Sequence, residues 1–172
     1  LCWGSNANGQ LGDGTTVTRS SPVAVTSRQR FVALSAGWNH SCAITADGVV
    51  YCWGANASGQ IGNGARADAR TPVAISAPAR MTSISAGGTH TCAVSEAGEA
   101  YCWGRNSFGQ LGTGGTQARR LADQIMPALT MVARRPANSR STKSRAIAWR
   151  PSILPLPQRF VRAILSSLVY FE

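Results

Sequence analysis

The feature that most constrains this chain is a period. Cys-Trp-Gly stands at 2–4, 52–54 and 102–104, and each copy is followed by Asn-x-x-Gly-Gln-(Leu/Ile)-Gly-x-Gly, at 6–14, 56–64 and 106–114. Residues 1–50 and 51–100 align without an insertion and agree at 20 of 50 positions, far more than coincidence supplies. A tandem unit of this kind cannot bury its apolar face alone. It stacks on its neighbours, so the fold is an array of units and not one closed core.

One period reads as short strands separated by turns, with no helical stretch. Val23–Val25, Phe31–Ala36, His40–Thr45 and Val49–Gly54 are brief runs of β-branched, aromatic and small residues. Pro22 stands at a strand entry, and Ala46-Asp47-Gly48 makes a hairpin turn in which Gly48 is free to take a positive φ. About four strands in each ~50-residue repeat is the pattern of a propeller blade. The recurrence of Trp3, Trp53 and Trp103 at one blade position marks them as packing residues of the core or of the seam between blades. Gly9, Gly12, Gly59, Gly62, Gly109 and Gly112 permit tight turns, and Gln10, Gln60 and Gln110 are expected to bond backbone groups locally. The same segments lack the Gly-Lys-(Ser/Thr) ending of a phosphate loop, and no helix follows to hold an anion.

The run His-Ser-Cys-Ala-Ile-Thr-Ala-Asp-Gly-Val-Val-Tyr-Cys-Trp-Gly-Ala-Asn-Ala-Ser-Gly-Gln-Ile-Gly-Asn-Gly, at 40–64, resembles the regulator of chromosome condensation repeat. That pattern is a glycine-turn hairpin followed by Trp-Gly-x-Asn-x-x-Gly-Gln-Leu-Gly. The resemblance implies an all-β fold, a propeller with seven blades of four strands and a parent of about 350 residues or more. This chain would hold about two full repeats, 1–50 and 51–100, and part of a third at 101–118. It resembles the bacterial, cysteine-containing type, as a fragment.

Composition divides the chain at the same place. Residues 1–118 carry 7 arginines and 5 acids, whereas 119–172 carry 10 of the 17 basic residues and only 2 acids. All 18 glycines and all 5 cysteines precede residue 116. Residues 119–172 therefore read as a divergent basic tail, disordered or carried in a shifted frame, with the break at about 131. Leu1 occupies the place of Tyr51 and Tyr101 inside a strand, so the N-terminus reads as truncated, with no signal peptide before it. The basic run 134–150 has phosphate-binding chemistry but no organised aromatics, and the apolar stretch 158–171 is too short to span a bilayer.

The cysteines carry the clearest local signal. With a three-residue loop at 46–48, Thr45 opposes Val49, Ala43 opposes Tyr51 and Cys42 opposes Cys52. The same register sets Cys92 against Cys102. Directly opposed Cβ atoms lie within about 5 Å, so two hairpin-spanning disulfides are within reach, with Cys2 left free. Pairs of small buried thiols in a reducing compartment are the alternative. His40-x-Cys42 with Cys52 offers three metal ligands on one strand face, but structural zinc wants four and closer cysteine spacing. Disulfides imply an extracellular or cell-surface location.

No nucleophile, base and acid fall together in the repeats, and no cofactor or metal is expected. Recognition belongs where the repeats differ on a fixed scaffold, at Thr15–Ser21 against Ala65–Thr71 and at Trp38-Asn39 against Gly88-Thr89. Trp38, Arg66, Arg70, Arg105 and Phe108 have the chemistry of interface anchors. The expected function is a non-catalytic protein–protein interaction scaffold, requiring no nucleic acid and no membrane span. The resemblance also implies a second reading, because the family includes a nucleotide exchange factor for a small GTPase. It likewise includes a secreted bacterial β-lactamase inhibitor that binds through one propeller face. The cysteines and the near-neutral repeats favour the secreted or surface binder.

Overall fold

The computed structural model describes residues 1–124. They form ten antiparallel strands: β1 (Cys2–Gly4), β2 (Arg19–Val23), β3 (Phe31–Ala36), β4 (His40–Thr45), β5 (Val50–Gly54), β6 (Ala69–Ala74), β7 (Met81–Ala86), β8 (His90–Ser95), β9 (Ala100–Gly104) and β10 (Arg119–Gln124). The sheets are β1-β2, β3-β4-β5-β6 and β7-β8-β9-β10. Two complete four-stranded blades thus follow one two-stranded sheet. The blade is offset from the sequence period, since it opens at Phe31 or Met81 and closes across the next Cys-Trp-Gly.

Up-and-down connection gives every blade two unlike ends. The loops 5–18, 55–68 and 105–118 and the turns 37–39 and 87–89 gather at one of them, the long-loop end. The links 24–30 and 75–80 and the turns 46–49 and 96–99 lie at the other, the short-turn end. At the first short turn Gly48 takes φ 79° and its N–H donates to the Thr45 carbonyl at 3.0 Å.

The second strand of each blade, β4 or β8, is buried along its whole length, with a sheet neighbour on each edge. This is why His40–Thr45 and His90–Ser95 carry small and apolar residues without the alternation of a half-wet strand. The main apolar cluster joins Ile44, Val50 and Ile61 of one blade to Met81, Tyr101 and Trp103 of the next. The core therefore lies between blades, as a stacked array requires.

Three expectations are corrected. The strand placed at Val23–Val25 is instead Arg19–Val23, and Pro22 lies within it. It is the outer edge strand, where a residue without an N–H breaks no ladder bond; Pro72 occupies the same place in β6. The boundary at 118 falls short, because Arg119–Gln124 pairs with β9 and closes the second complete blade. Its glycine-free sequence hid this, since an outer strand needs neither turn residues nor a strongly apolar face. Finally, Trp3 is 63% exposed, whereas Trp53 and Trp103 are fully buried. The Gly-Gln loop of the preceding repeat covers each of the latter two, and Trp3 heads the series. The rest of the expected tail, with the basic run 134–150, lies outside the described residues.

Candidate functional site

The long-loop end is organised by a buried asparagine in each repeat. Asn6, Asn56 and Asn106 are wholly buried. Asn6 Nδ2 donates to the Thr15 and Val17 carbonyls, each at 3.1 Å, while its Oδ1 accepts from Leu11 N–H at 2.9 Å. Asn56 and Asn106 repeat the pattern, accepting from Ile61 and Leu111 N–H at 3.0 and 2.9 Å. These side chains pin both ends of each loop, a role the sequence reading did not give them although they recur every 50 residues. Gln10, Gln60 and Gln110 accept from the N–H two residues earlier, at Asn8, Ser58 and Phe108, over 2.9–3.0 Å.

The main-chain carbonyl of that glutamine fastens one repeat to the next. Gln10 O accepts from Trp53 Nε1–H at 2.9 Å and from the Ser41 hydroxyl at 2.8 Å. Gln60 O accepts from Trp103 Nε1–H and the Thr91 hydroxyl over the same distances. The indoles lie so close that a Cβ on Gly12 or Gly62 would stand 2.7 or 2.6 Å from Nε1. These glycines therefore supply clearance as well as a turn. Gly9 and Gly59 clear Arg70 and Arg120 in the same way, whereas nothing within 4 Å faces Gly109.

His40 belongs to this seam. Its Nε2 lies 2.9 Å from Thr91 Oγ1, whose single proton already goes to Gln60 O, so His40 carries its proton on Nε2. Nδ1 is buried without a hydrogen-bond partner. Burial, with the neighbouring His90 second, depresses the imidazole pKa to about 4. It is a neutral packing residue at ordinary pH.

The structure contains the disulfides Cys42–Cys52 and Cys92–Cys102, and Cys2 is a free thiol. Cys42 stands opposite Cys52 in a register that also pairs Ala43 with Tyr51 and Ile44 with Val50. Thr45 N–H donates to Val49 O, so alternation makes 42/52 a narrow pair, with Cα atoms 4.1 Å apart. Among the described residues, no three His, Cys, Asp or Glu side chains converge as metal ligands.

All five anchor candidates lie at the long-loop end. Trp38 is 69% exposed at the tip of the β3–β4 turn, and Phe108 is 76% exposed in the loop after β9. The Arg105 guanidinium lies 5.3 Å from the centroid of the Phe108 ring, while its Nε–H donates to Ser107 Oγ at 3.2 Å. Arg66 is exposed in the loop after β5, and Arg70 opens β6 beside Gly9. Beside them Asp13 accepts from the Thr15 backbone and hydroxyl, Asn6 and Arg19, which together hold its carboxyl down at about 2. A groove of about 460 Å³ between β3 and the 24–29 link is lined by Leu1, Val25, Phe31, Val32 and Leu34 and brings no titratable side chain to bear. No helix among the described residues is long and apolar enough to cross a membrane.

Search of curated proteins returns no match. Among solved structures, Prp20p of Saccharomyces cerevisiae is 26% identical, with a TM-score of 0.64 over 74% of this chain and 34% of its own. A second yeast Prp20 structure, bound to Kap60, is 25% identical with the same score, over 74% of this chain and 33% of its own. Human WBSCR16 is 25% identical, with a TM-score of 0.61 over 72% of this chain and 34% of its own. This chain spans about a third of the length of each relative. The family model described as "Regulator of chromosome condensation (RCC1) repeat" matches residues 1–44, 47–94 and 97–135, and a second model of that description matches 31–60 and 81–110. With blades of this topology and three consecutive matches, the chain belongs to the regulator of chromosome condensation repeat family.

Proposed function

We propose that the chain is part of a non-catalytic protein–protein interaction scaffold, acting outside the cell or at its surface. The observation that carries this reading is a division within each repeat. Seam residues are repeated and buried, whereas Trp38, Arg66, Arg105 and Phe108 break the repeat and are held in or beside solvent on one end of a rigid frame. Variable, exposed, aromatic and arginine side chains on a fixed frame are the makings of a recognition face. Related blades are known in protein-binding settings, since the Prp20p structures are described with Gsp1p, histones and Kap60. The two disulfides support an oxidising compartment.

The alternative is regulation of a small GTPase by nucleotide exchange, supported by the likeness to Prp20p. Two measurements separate the readings. The full chain is added to small GTPases loaded with fluorescent nucleotide; unchanged release supports the scaffold, and acceleration supports the exchange factor. A photo-cross-linking residue is then placed at position 108 or at position 47 and exposed to secreted and surface proteins of the source cell. Discrete adducts at either position support a scaffold, and their absence at both counts against it.

A further inference from the structure

Charge on the described blades is sorted by end. Arg19, Arg66, Arg70, Arg105, Arg119 and Arg120 lie at the long-loop end, against Asp13 and Asp68, a formal balance of +4. The short-turn end carries Arg28, Arg30 and Arg80 against Asp47, Glu96 and Glu99, with Asp123 toward the same end of β10, a balance of −1. The seam residues Gln10, Ser41, Trp53, Gln60, Thr91 and Trp103 are uncharged, so the packing of the blades does not require this sorting. The loops of successive repeats also touch. A Cβ on Gly9 would meet the Arg70 backbone at 2.7 Å, and one on Gly59 would meet the Arg120 side chain at 2.8 Å. Asn8 Nδ2 donates to Asp68 at 2.9 Å. The arginines therefore form one continuous field across three loops, with Trp38 and Phe108 standing out of it.

We infer that the long-loop end is a docking face for an acidic protein segment bearing apolar side chains; the inference rests on the scaffold reading and names its partner's chemistry. Arginine forks take carboxylates in bidentate pairs, and the exposed indole and phenyl rings supply the apolar anchors that charge alone lacks. Nucleic acid fits less well. Asp68 is held in the same surface, with Oδ1 accepting from Asn56 N–H at 2.9 Å and Oδ2 from Asn8; a peptide can meet this fixed negative charge with an apolar side chain, whereas a phosphate at every nucleotide cannot avoid it. The described residues carry no lysine. The field steers an acidic partner to this end and speeds its capture, more so at low ionic strength.

The test uses the full chain and a fluorescein-labelled peptide, Glu-Asp-Phe-Glu-Glu-Phe-Asp-Glu, with binding followed by anisotropy. The paired variant Arg66→Glu/Arg105→Glu is expected to weaken binding about tenfold, and Arg66→Gln/Arg105→Gln by less, with circular dichroism checking the fold. Arg28→Glu/Arg30→Glu at the other end is expected to change it by less than about twofold. Replacing both phenylalanines of the peptide by alanine should also weaken binding. The inference is overturned if Arg134→Glu/Arg135→Glu abolishes binding while Arg66→Glu/Arg105→Glu does not, since the basic run 134–150 is then the binder. It is equally overturned if a DNA duplex binds more tightly than the peptide through Arg66 and Arg105. Adducts from position 47, with the peptide indifferent to Arg66 and Arg105, would leave the scaffold reading standing and sink this one.

Discussion

At the scale of single residues, the glycines and His40 show what close approach between repeats demands. Gly62 takes φ 85° and its missing Cβ clears an indole, whereas Gly98 takes φ 79° with nothing within 4 Å. Gly98→Ala should therefore cost only the left-handed backbone term, about 1 kcal/mol. Gly62→Ala adds overpacking against Trp103 and should cost about 3 kcal/mol, read by urea denaturation of the two variants side by side. For His40 the sign follows from a folded pKa of about 4 against an ordinary 6.5. The unfolded chain binds the proton first, so stability falls as pH drops from 6.5 to 4 and this contribution is flat outside that window. The loss amounts to about 3 kcal/mol, and His40→Gln should flatten that arm of the pH–stability curve. Asp13, with its carboxyl held low by hydrogen bonds, adds a separate loss of stability between 3.8 and 2.

At the scale of elements, the hairpins were the most legible part. Phe31–Ala36 and His40–Thr45 are strands with the bounds read from sequence, and the Cys42/Cys52 register followed from counting outward from Ala46-Asp47-Gly48. Local turn chemistry determines such pairings, so local sequence reveals them. The outer strands were legible only in part, because Arg19–Val23 and Arg119–Gln124 contain Pro22 or charged residues that an edge tolerates. The long-loop scaffold was missed for a different reason. Asn6 acts through partners five to eleven residues ahead, and Gln10 acts on Trp53 through a carbonyl that every residue has. The disulfides give the element-scale prediction. Alkylating denatured, unreduced chains should label one thiol each, at Cys2, and five labels would refute the bridges. Cys92→Ala/Cys102→Ala should lose about 2–3 kcal/mol, the chain-entropy value for so short a loop.

At the scale of the whole molecule, of the equivalent strands β1, β5 and β9 only β1 lacks a neighbour on one edge among the described residues. Val32, Leu34 and Trp3 are exposed at 68%, 55% and 63% beside it. A stacked array draws stability from each neighbour, so the chain as it stands should melt below about 60 °C and associate as concentration rises. Calorimetry with sedimentation across a concentration series checks both, and a cooperative monomeric melt well above that temperature would contradict them.

The fastening of each repeat through Gln10 O and Gln60 O has a consequence for how such a chain can change over generations. A backbone oxygen is indifferent to the side chains around it, so substitutions along the outward part of the same loop leave the fastening intact. Thr15–Ser21 and Ala65–Thr71 hold unrelated side chains in equivalent positions, each beside an unaltered seam. Change is thereby tolerated on the outward side of the proposed docking face. A mutational library over 16–18, 65–67 and 116–118 should lose few members to misfolding, which makes this end of the blades a natural place to select new specificities.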